Sequence, residues 1–170
     1  FELDLARQLN LNQARVFITH DAYSPDPRTF LDRLRHLAGA CEERDIGLMV
    51  TIMYPRDMVA DRSRWPEVRG FASDLVQTLS DHPALAFWDV SNEPDWGGGR
   101  LSPEQVQMRM DHARYMADLF HELDTATPVT IGATFVPGME AMADAMDVLS
   151  FHDYSPTRAE IRANIARAKE

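Results

Sequence analysis

The sequence has one cysteine and one lysine, and no apolar run approaching the ~20 residues of a membrane span. Cys41 alone excludes an internal disulfide framework and any metal site built from several cysteines. It falls at a helical-period apolar position and reads as core. Lys169 is the single lysine, and 27 acidic residues against 17 basic ones leave a net charge of −10. No stretch dense in Lys and Arg supplies the basic footprint that phosphates require, which excludes nucleic acid as a partner. An initiator methionine is also lacking. The chain opens on Phe1, and "FELDLARQLNLNQARVFIT" reads as mid-domain text, so a piece of a longer domain is expected.

What is present is ordinary globular composition: 170 residues, 45% hydrophobic and 26% charged, enough for one sizeable core. Short β-rich runs alternate with amphipathic helices. "ARVFIT" (14–19), "IGLMVTIM" (46–53), "ALAFWDV" (84–90), "VTIGATF" (129–135) and "DVLSFHDY" (147–154) read as strands. Between them, Asp26 and Pro27 open a helix with Phe30, Leu34, Leu37, Ala38 and Cys41 on one face. Val68, Phe71, Leu75 and Leu79 mark a second helix, which Pro83 stops from continuing. "SPEQ" (102–105) opens a third and Thr157 with Glu160 a last one, over 157–170, each with a capping box. Near-continuous apolar strands alternating with helices predict an α/β fold with a parallel sheet, in a single domain over residues 1–170.

Two architectures fit that pattern: a five-stranded open doubly wound sheet, or a TIM (β/α)8 barrel represented by about five of its units. The polar residues past the strand ends favour the barrel. His20, Tyr54, Asn92, Glu93, His152 and Tyr154 all lie there, and a barrel collects its site from many strand ends whereas an open sheet concentrates it at one crevice.

Glu93 is the leading candidate for chemistry. It ends the apolar run "ALAFWDVSNEP", Pro94 denies the next ladder donor, and Gly97, Gly98 and Gly99 follow. A carboxyl at a hydrophobic rim is expected to have a raised pKa and so to serve as a general acid. Strand alternation puts Asp89, Ser91 and Glu93 on one face, with Trp88, Val90 and Asn92 on the other, although both Asn92 and Glu93 can reach the mouth. In "SFHDY", His152 and Tyr154 share a face, and Asp153 takes the opposite one. Arg15 inside an apolar strand requires a carboxylate, and Asp89 is its candidate partner. Tyr23, Tyr54, Trp65, Trp96 and Phe135 lie on the same loops and could stack on a sugar ring at a cleft rim.

These motifs resemble the clan A glycoside hydrolases, the retaining β-glycosidases that include cellulases, β-mannanases and β-galactosidases. "HPALAFWDVSNEP" is similar to the fourth barrel strand of that clan, "NQARVF" to its second, with its arginine, and "DVLSFHDYSP" to its sixth, with His-x-Tyr. The resemblance implies a barrel fragment spanning strands two to six, acting on β-glycosidic bonds with no cofactor. It implies Glu93 as acid/base and Asn92 as a ligand of the sugar 2-hydroxyl. Arg15 and Tyr154 would hold a nucleophilic carboxylate, His152 would orient the acid/base, and Trp96 would stack near the cleavage point. The clan's nucleophile is a glutamate ending the seventh strand, which the resemblance places beyond residue 170; Glu170, at a helix end, does not fill that role. "TIMYP" (51–55) stands where many family 5 endoglucanases have a histidine, which points to a mannanase-like or other β-glycosidase subgroup.

Two further readings stay open on the residues. A barrel lacking strands exposes two sheet edges, so the chain could be an inactive or carbohydrate-binding piece that requires self-association or the missing barrel segments. The pairs in "HDAYSP" (20–25) and "HDYSP" (152–156) could belong to a metal-dependent hydrolase, but strand neighbours point to opposite faces and cannot share one ion.

Overall fold

The computed structural model describes residues 2–169; Phe1, and Glu170 at the end of the expected last helix, lie outside the described residues. Five parallel strands form one sheet: β1 (Gln13–Thr19), β2 (Gly47–Met53), β3 (Leu85–Asn92), β4 (Val129–Ala133) and β5 (Val148–Phe151). Their spatial order is their sequence order, β1-β2-β3-β4-β5, every pair parallel. A doubly wound sheet reverses direction at a switch point near its middle. No reversal occurs here, so the sheet is a sector of a barrel and not an open doubly wound sheet.

A helix, α1 (Glu2–Gln8), precedes β1. The crossovers are helical: α2 (His20–Tyr23) and α3 (Pro27–Glu42), α4 (Arg56–Ala60) and α5 (Arg69–Leu79), α6 (Pro103–Leu123), and α7 (Val136–Glu140), while α8 (Arg158–Arg167) follows β5. The caps are those the sequence spells. Asp26 accepts from the Thr29 amide at 3.1 Å ahead of Pro27, and Ser102–Gln105 and Thr157–Glu160 form reciprocal capping boxes.

The core lies between the sheet's outer face and the helices. Val50, Ile52, Trp88, Val90, Val129, Ile131 and Ala133 are buried there against Ala38, Cys41, Leu75, Leu79, Ala113, Met116 and Phe120. Trp88 is fully buried. Its ring lies 5.1 Å from that of Phe120, and its indole N–H donates to Asp124 Oδ2 at 2.8 Å. That bond satisfies the one polar atom that a buried indole carries.

Packing falls away at both ends of the sheet. α1 and α8 contain no buried residue. Leu5, Leu9, Leu11 and Phe17 at one end, and Val148, Leu149 and Ile165 at the other, are the exposed large apolar side chains near the two edge strands. Among the described residues β1 and β5 each pair on one side only.

The inner face carries the polar network expected from Arg15 and Asp89. Register sets Arg15 beside Met49 on β2, and Thr51 beside Asp89 on β3. Arg15 Nε and Nη2 donate to Asp89 Oδ2 at 2.9 and 2.5 Å, and the Thr51 hydroxyl donates to the same oxygen at 2.8 Å. Asp89 is 1% exposed and the Arg15 side chain 28%. Removing one partner of a buried pair costs about 3–5 kcal/mol. Because Arg15 keeps some contact with solvent, Asp89→Ala is expected to cost about 3 kcal/mol, the low end of that range. Urea unfolding of the variant checks this, and a loss below about 1 kcal/mol, the scale of an exposed pair, would separate the two residues energetically.

Candidate active site

The ends of β3 and β5 bring Asn92, Glu93, His152 and Tyr154 to one rim of the sheet, and the Arg15 side chain reaches up to Asn92 from within β1. Two donors converge on one oxygen of Glu93: His152 Nδ1 lies 2.7 Å from Oε1, and the Tyr154 hydroxyl donates to the same atom at 2.6 Å. With the carboxyl ionised, His152 Nδ1 carries the proton of its bond. Glu93 Oε2 makes no hydrogen bond among the described residues. Side-chain exposure is 12% for Glu93 and 22% for His152, while Tyr154 stands 72% exposed on the solvent side of the pair.

Asn92 departs from the expected alternation. From Asp89 to Asn92 β3 takes three steps, while its partner β4 takes two, from Thr130 to Gly132. The extra residue is a β-bulge, which re-aims the side chain after it. Asn92 is therefore turned away from the Trp88 and Val90 face, and its Oδ1 accepts from Arg15 Nη2 at 2.9 Å. Opposite it, Gly132 is required by close approach: a Cβ there would stand 2.5 Å from the His152 ring and 3.1 Å from Arg15 Nη2. The missing side chain is the space in which histidine and arginine meet.

β5 ends at Phe151, earlier than expected, so His152 and Tyr154 lie beyond the strand. They still converge on Glu93. Asp153 turns away, accepting from the Ser155 amide at 2.8 Å and from Asn164 at 3.2 Å.

The expected aromatic rim divides in two. Tyr23, Tyr54 and Trp65 pack inward. Tyr23 lies tilted against Phe71 with ring centroids 4.5 Å apart, while Tyr54 and Trp65 meet His112 edge-on at 5.1 and 5.3 Å. Tyr23 lies in α2 and Trp65 in a 3-10 segment (Arg62–Val68), while Tyr54 directly follows β2 and turns toward α5 and α6. Trp96 and Phe135 remain half exposed, at 51% and 53%, but no ring contact or side-chain hydrogen bond joins Trp96 to the Glu93 cluster. His20 lies in α2 and packs edge-on against Phe71 at 5.5 Å. Among the described residues no group of three His, Cys, Asp or Glu side chains is placed to hold a metal ion, so neither His-Asp pair has a ligand set around it.

Arg109, which the sequence did not single out, and Asp95 hold the loop after β3. Arg109 on α6 donates to the carbonyls of Glu93 and Trp96 at 2.6 and 2.5 Å. Asp95 accepts the amides of Thr134 and Phe135 at 2.8 and 2.9 Å. Glu93 itself has φ of 49°, in the left-handed region, a conformation that costs a side-chain-bearing residue of order 1–3 kcal/mol.

The electrostatics reverse the expected direction for Glu93. Burial pushes its carboxyl up, but the hydrogen bonds from Tyr154 and His152, with the charges of His152 and Arg15, outweigh burial and hold it below the usual range. The cause lies in partners from β5's end, which supply donors where an apolar rim was expected. A folded-state pKa below the unfolded one gives stability that is complete above the ordinary value of 4.5 and is lost as pH falls through the lower folded value. The urea midpoint of Glu93→Gln is therefore expected to fall below the parent's at neutral pH, with the gap closing as pH drops below about 4. A gap that widens on acidification would contradict the direction.

No protein-family model and no curated protein matches the sequence. Solved structures do share the fold. A β-1,4-D-mannanase from Cryptopygus antarcticus superposes with a TM-score of 0.63 at 17% identity, over 79% of this chain and 49% of its own. The virulence factor SghA from Agrobacterium tumefaciens gives 0.64 at 18%, over 99% of this chain and 40% of its own. An exo-β-1,4-mannosidase from Opitutaceae bacterium strain TAV5 gives 0.62 at 22%, over 78% and 27%. The chain thus spans less than half the length of each of these. In fold, it is a five-stranded sector of the TIM barrel found in glycoside hydrolases.

Proposed function

We propose that this chain is the acid/base-bearing part of a retaining β-glycosidase. The observation that carries the reading is the anchoring of Glu93: Oε1 is held by His152 and Tyr154 while Oε2 is left for a substrate. Glu93 Oε2–H protonates the glycosidic oxygen as the bond to the anomeric carbon breaks. The same oxygen then takes a proton from the water that hydrolyses the glycosyl-enzyme. Asn92, fixed by Arg15, donates its amide N–H to the sugar 2-hydroxyl, a contact that tightens as charge develops on the ring. Two of the barrels that share the fold are named for β-1,4-mannan chemistry, and β-mannosides are the first substrates to test.

The nucleophile comes from elsewhere. Retaining chemistry needs a second carboxyl about 5–5.5 Å away. Asp95, two residues after Glu93, and Asp153, next to His152, are both committed to backbone amides. The low pKa of Glu93 agrees with this division. A general acid must hold its proton near neutral pH, and a second carboxylate at that separation raises its neighbour. Among the described residues no second carboxylate does so, and Glu93 rests as the base form.

A second reading is favoured by the one-sided pairing of β1 and β5 and the exposed Phe17, Val148 and Leu149. Alone, the chain is an inactive or sugar-binding piece that associates with itself or with the missing barrel segments. The two readings part in one set of measurements. The isolated chain, sized by light scattering and assayed on aryl β-glycosides, is expected to associate and to release no aglycone; a hydrolysing monomer would refute the division of carboxyls. In the barrel completed by its flanking segments, Glu93→Ala is expected to lower kcat by about 10²–10⁴, with azide restoring turnover as the glycosyl azide. Undiminished turnover removes Glu93 from the mechanism.

A further inference from the structure

We propose that Arg109 and Asp95 are positioning residues for Glu93, gripping the tip of β3 from its two sides so that the carboxyl keeps its left-handed backbone and its aim at His152 and Tyr154. The proposal rests on Glu93 as acid/base for its functional meaning, but its geometry stands apart from that reading.

The physical need begins with the backbone. Glu93 sits at φ 49° with Pro94 behind it, and a side-chain-bearing residue does not hold this region unless its surroundings fix it. Its amide is still in the sheet, donating to the Gly132 carbonyl at 2.6 Å. Its carbonyl faces α6, beyond the end of the ladder. The Trp96 amide reaches that carbonyl only at 3.2 Å. The close partner is Arg109 Nη2 at 2.6 Å, and the second arm of the same guanidinium, Nη1, takes the Trp96 carbonyl at 2.5 Å. Two carbonyls at the ends of one turn match the fork of an arginine. A lysine ammonium, a point charge on a flexible stem, does not hold both in one plane.

Asp95 grips the opposite side. Its two oxygens take the consecutive amides of Thr134 and Phe135, past the end of β4. The carboxylate lies in space left open by Gly138, where any Cβ would overlap it. The turn from Glu93 to Trp96 is thus tied to α6 by one charged side chain and to β4 by another. Released, Glu93 can relax out of the left-handed region, and a change of φ at Cα swings the whole carboxyl off the two donors that wait 59 and 61 residues further along the chain.

The test reads the position of the carboxyl directly. In the chain with 13C-labelled glutamate and 15N-labelled histidine, the parent is expected to show the Glu93 carboxyl titrating below the ordinary glutamate value, with a hydrogen-bonded Nδ1 signal for His152. In Arg109→Met the Glu93 midpoint is expected to rise toward the ordinary glutamate value, and the Nδ1 signal to lose its shift. The Trp88 indole signal, buried against Asp124, stays in place and reports that the core is intact. Arg109→Lys keeps charge and stem, so it folds even where the methionine variant does not, and is expected to fall between parent and Arg109→Met. Asp95→Asn, which keeps one acceptor, is expected to move both signals in the same direction by less than Arg109→Met. A parent-like Glu93 midpoint and His152 signal in Arg109→Lys, or in a folded Arg109→Met, would overturn the proposal. Failure of the glycosidase reading looks different: the variants move Glu93 as described, yet the completed barrel shows no turnover that depends on it.

Discussion

The site depends on a buried ion pair that bridges non-adjacent strands. Arg15 on β1 and Asp89 on β3 meet across β2, where Thr51 donates to the same carboxylate oxygen. Two charges on the inner face of a parallel sheet are tolerable only because each is hydrogen-bonded to the other and to a third group. The pair does more than balance charge. The guanidinium Nη2 that meets Asp89 also donates to Asn92, three residues further along β3, so the strand tip that delivers Glu93 is referenced to a buried anchor in the sheet. His152 then closes the arrangement from β5, over a glycine that leaves it room.

Much of this was legible in the residues. The apolar runs placed the strands, since a strand buried on both faces has few polar positions and Arg15 and Asp89 therefore stood out as partners. Caps at Asp26, Ser102 and Thr157 placed the helices, because a short polar side chain before a helix has one physical purpose. The barrel over the open sheet was favoured by the spread of polar strand ends, and the uninterrupted strand order bears that out.

What escaped the sequence shares a cause. Alternation assigns faces only while pairing is regular, and the bulge before Asn92 is a property of β3 against β4, invisible in β3 alone. The raised pKa expected for Glu93 followed from burial, which does push it up; the opposing donors come from a segment some sixty residues away. Tyr23, Tyr54 and Trp65 are near strand ends in sequence but on the helix layer in space. Arg109 gave no signal, because an arginine on an amphipathic helix beside Met110 looks like any solvated flank. Its role depends on two carbonyls freed by a turn 13 and 16 residues earlier.

The direction of the Glu93 shift and the open edges of the sheet belong together on the proposed reading. A carboxyl held by a tyrosine, a histidine and a nearby arginine is stable as an anion, and an anion cannot protonate a leaving group. The remedy is not less hydrogen bonding, which would cost orientation, but a second negative charge close by. Such a charge raises Glu93 and takes for itself part of the field of Arg15. Arg15 lies on the edge strand β1, and its partner Asp89 is already neutralised, so a carboxylate arriving across that open side would find the guanidinium in reach without breaking the buried pair. On this view the half-barrel is not a damaged site. On the proposed reading it carries one member of a coupled pair of carboxyls, held in the ionised form by the donors around Glu93.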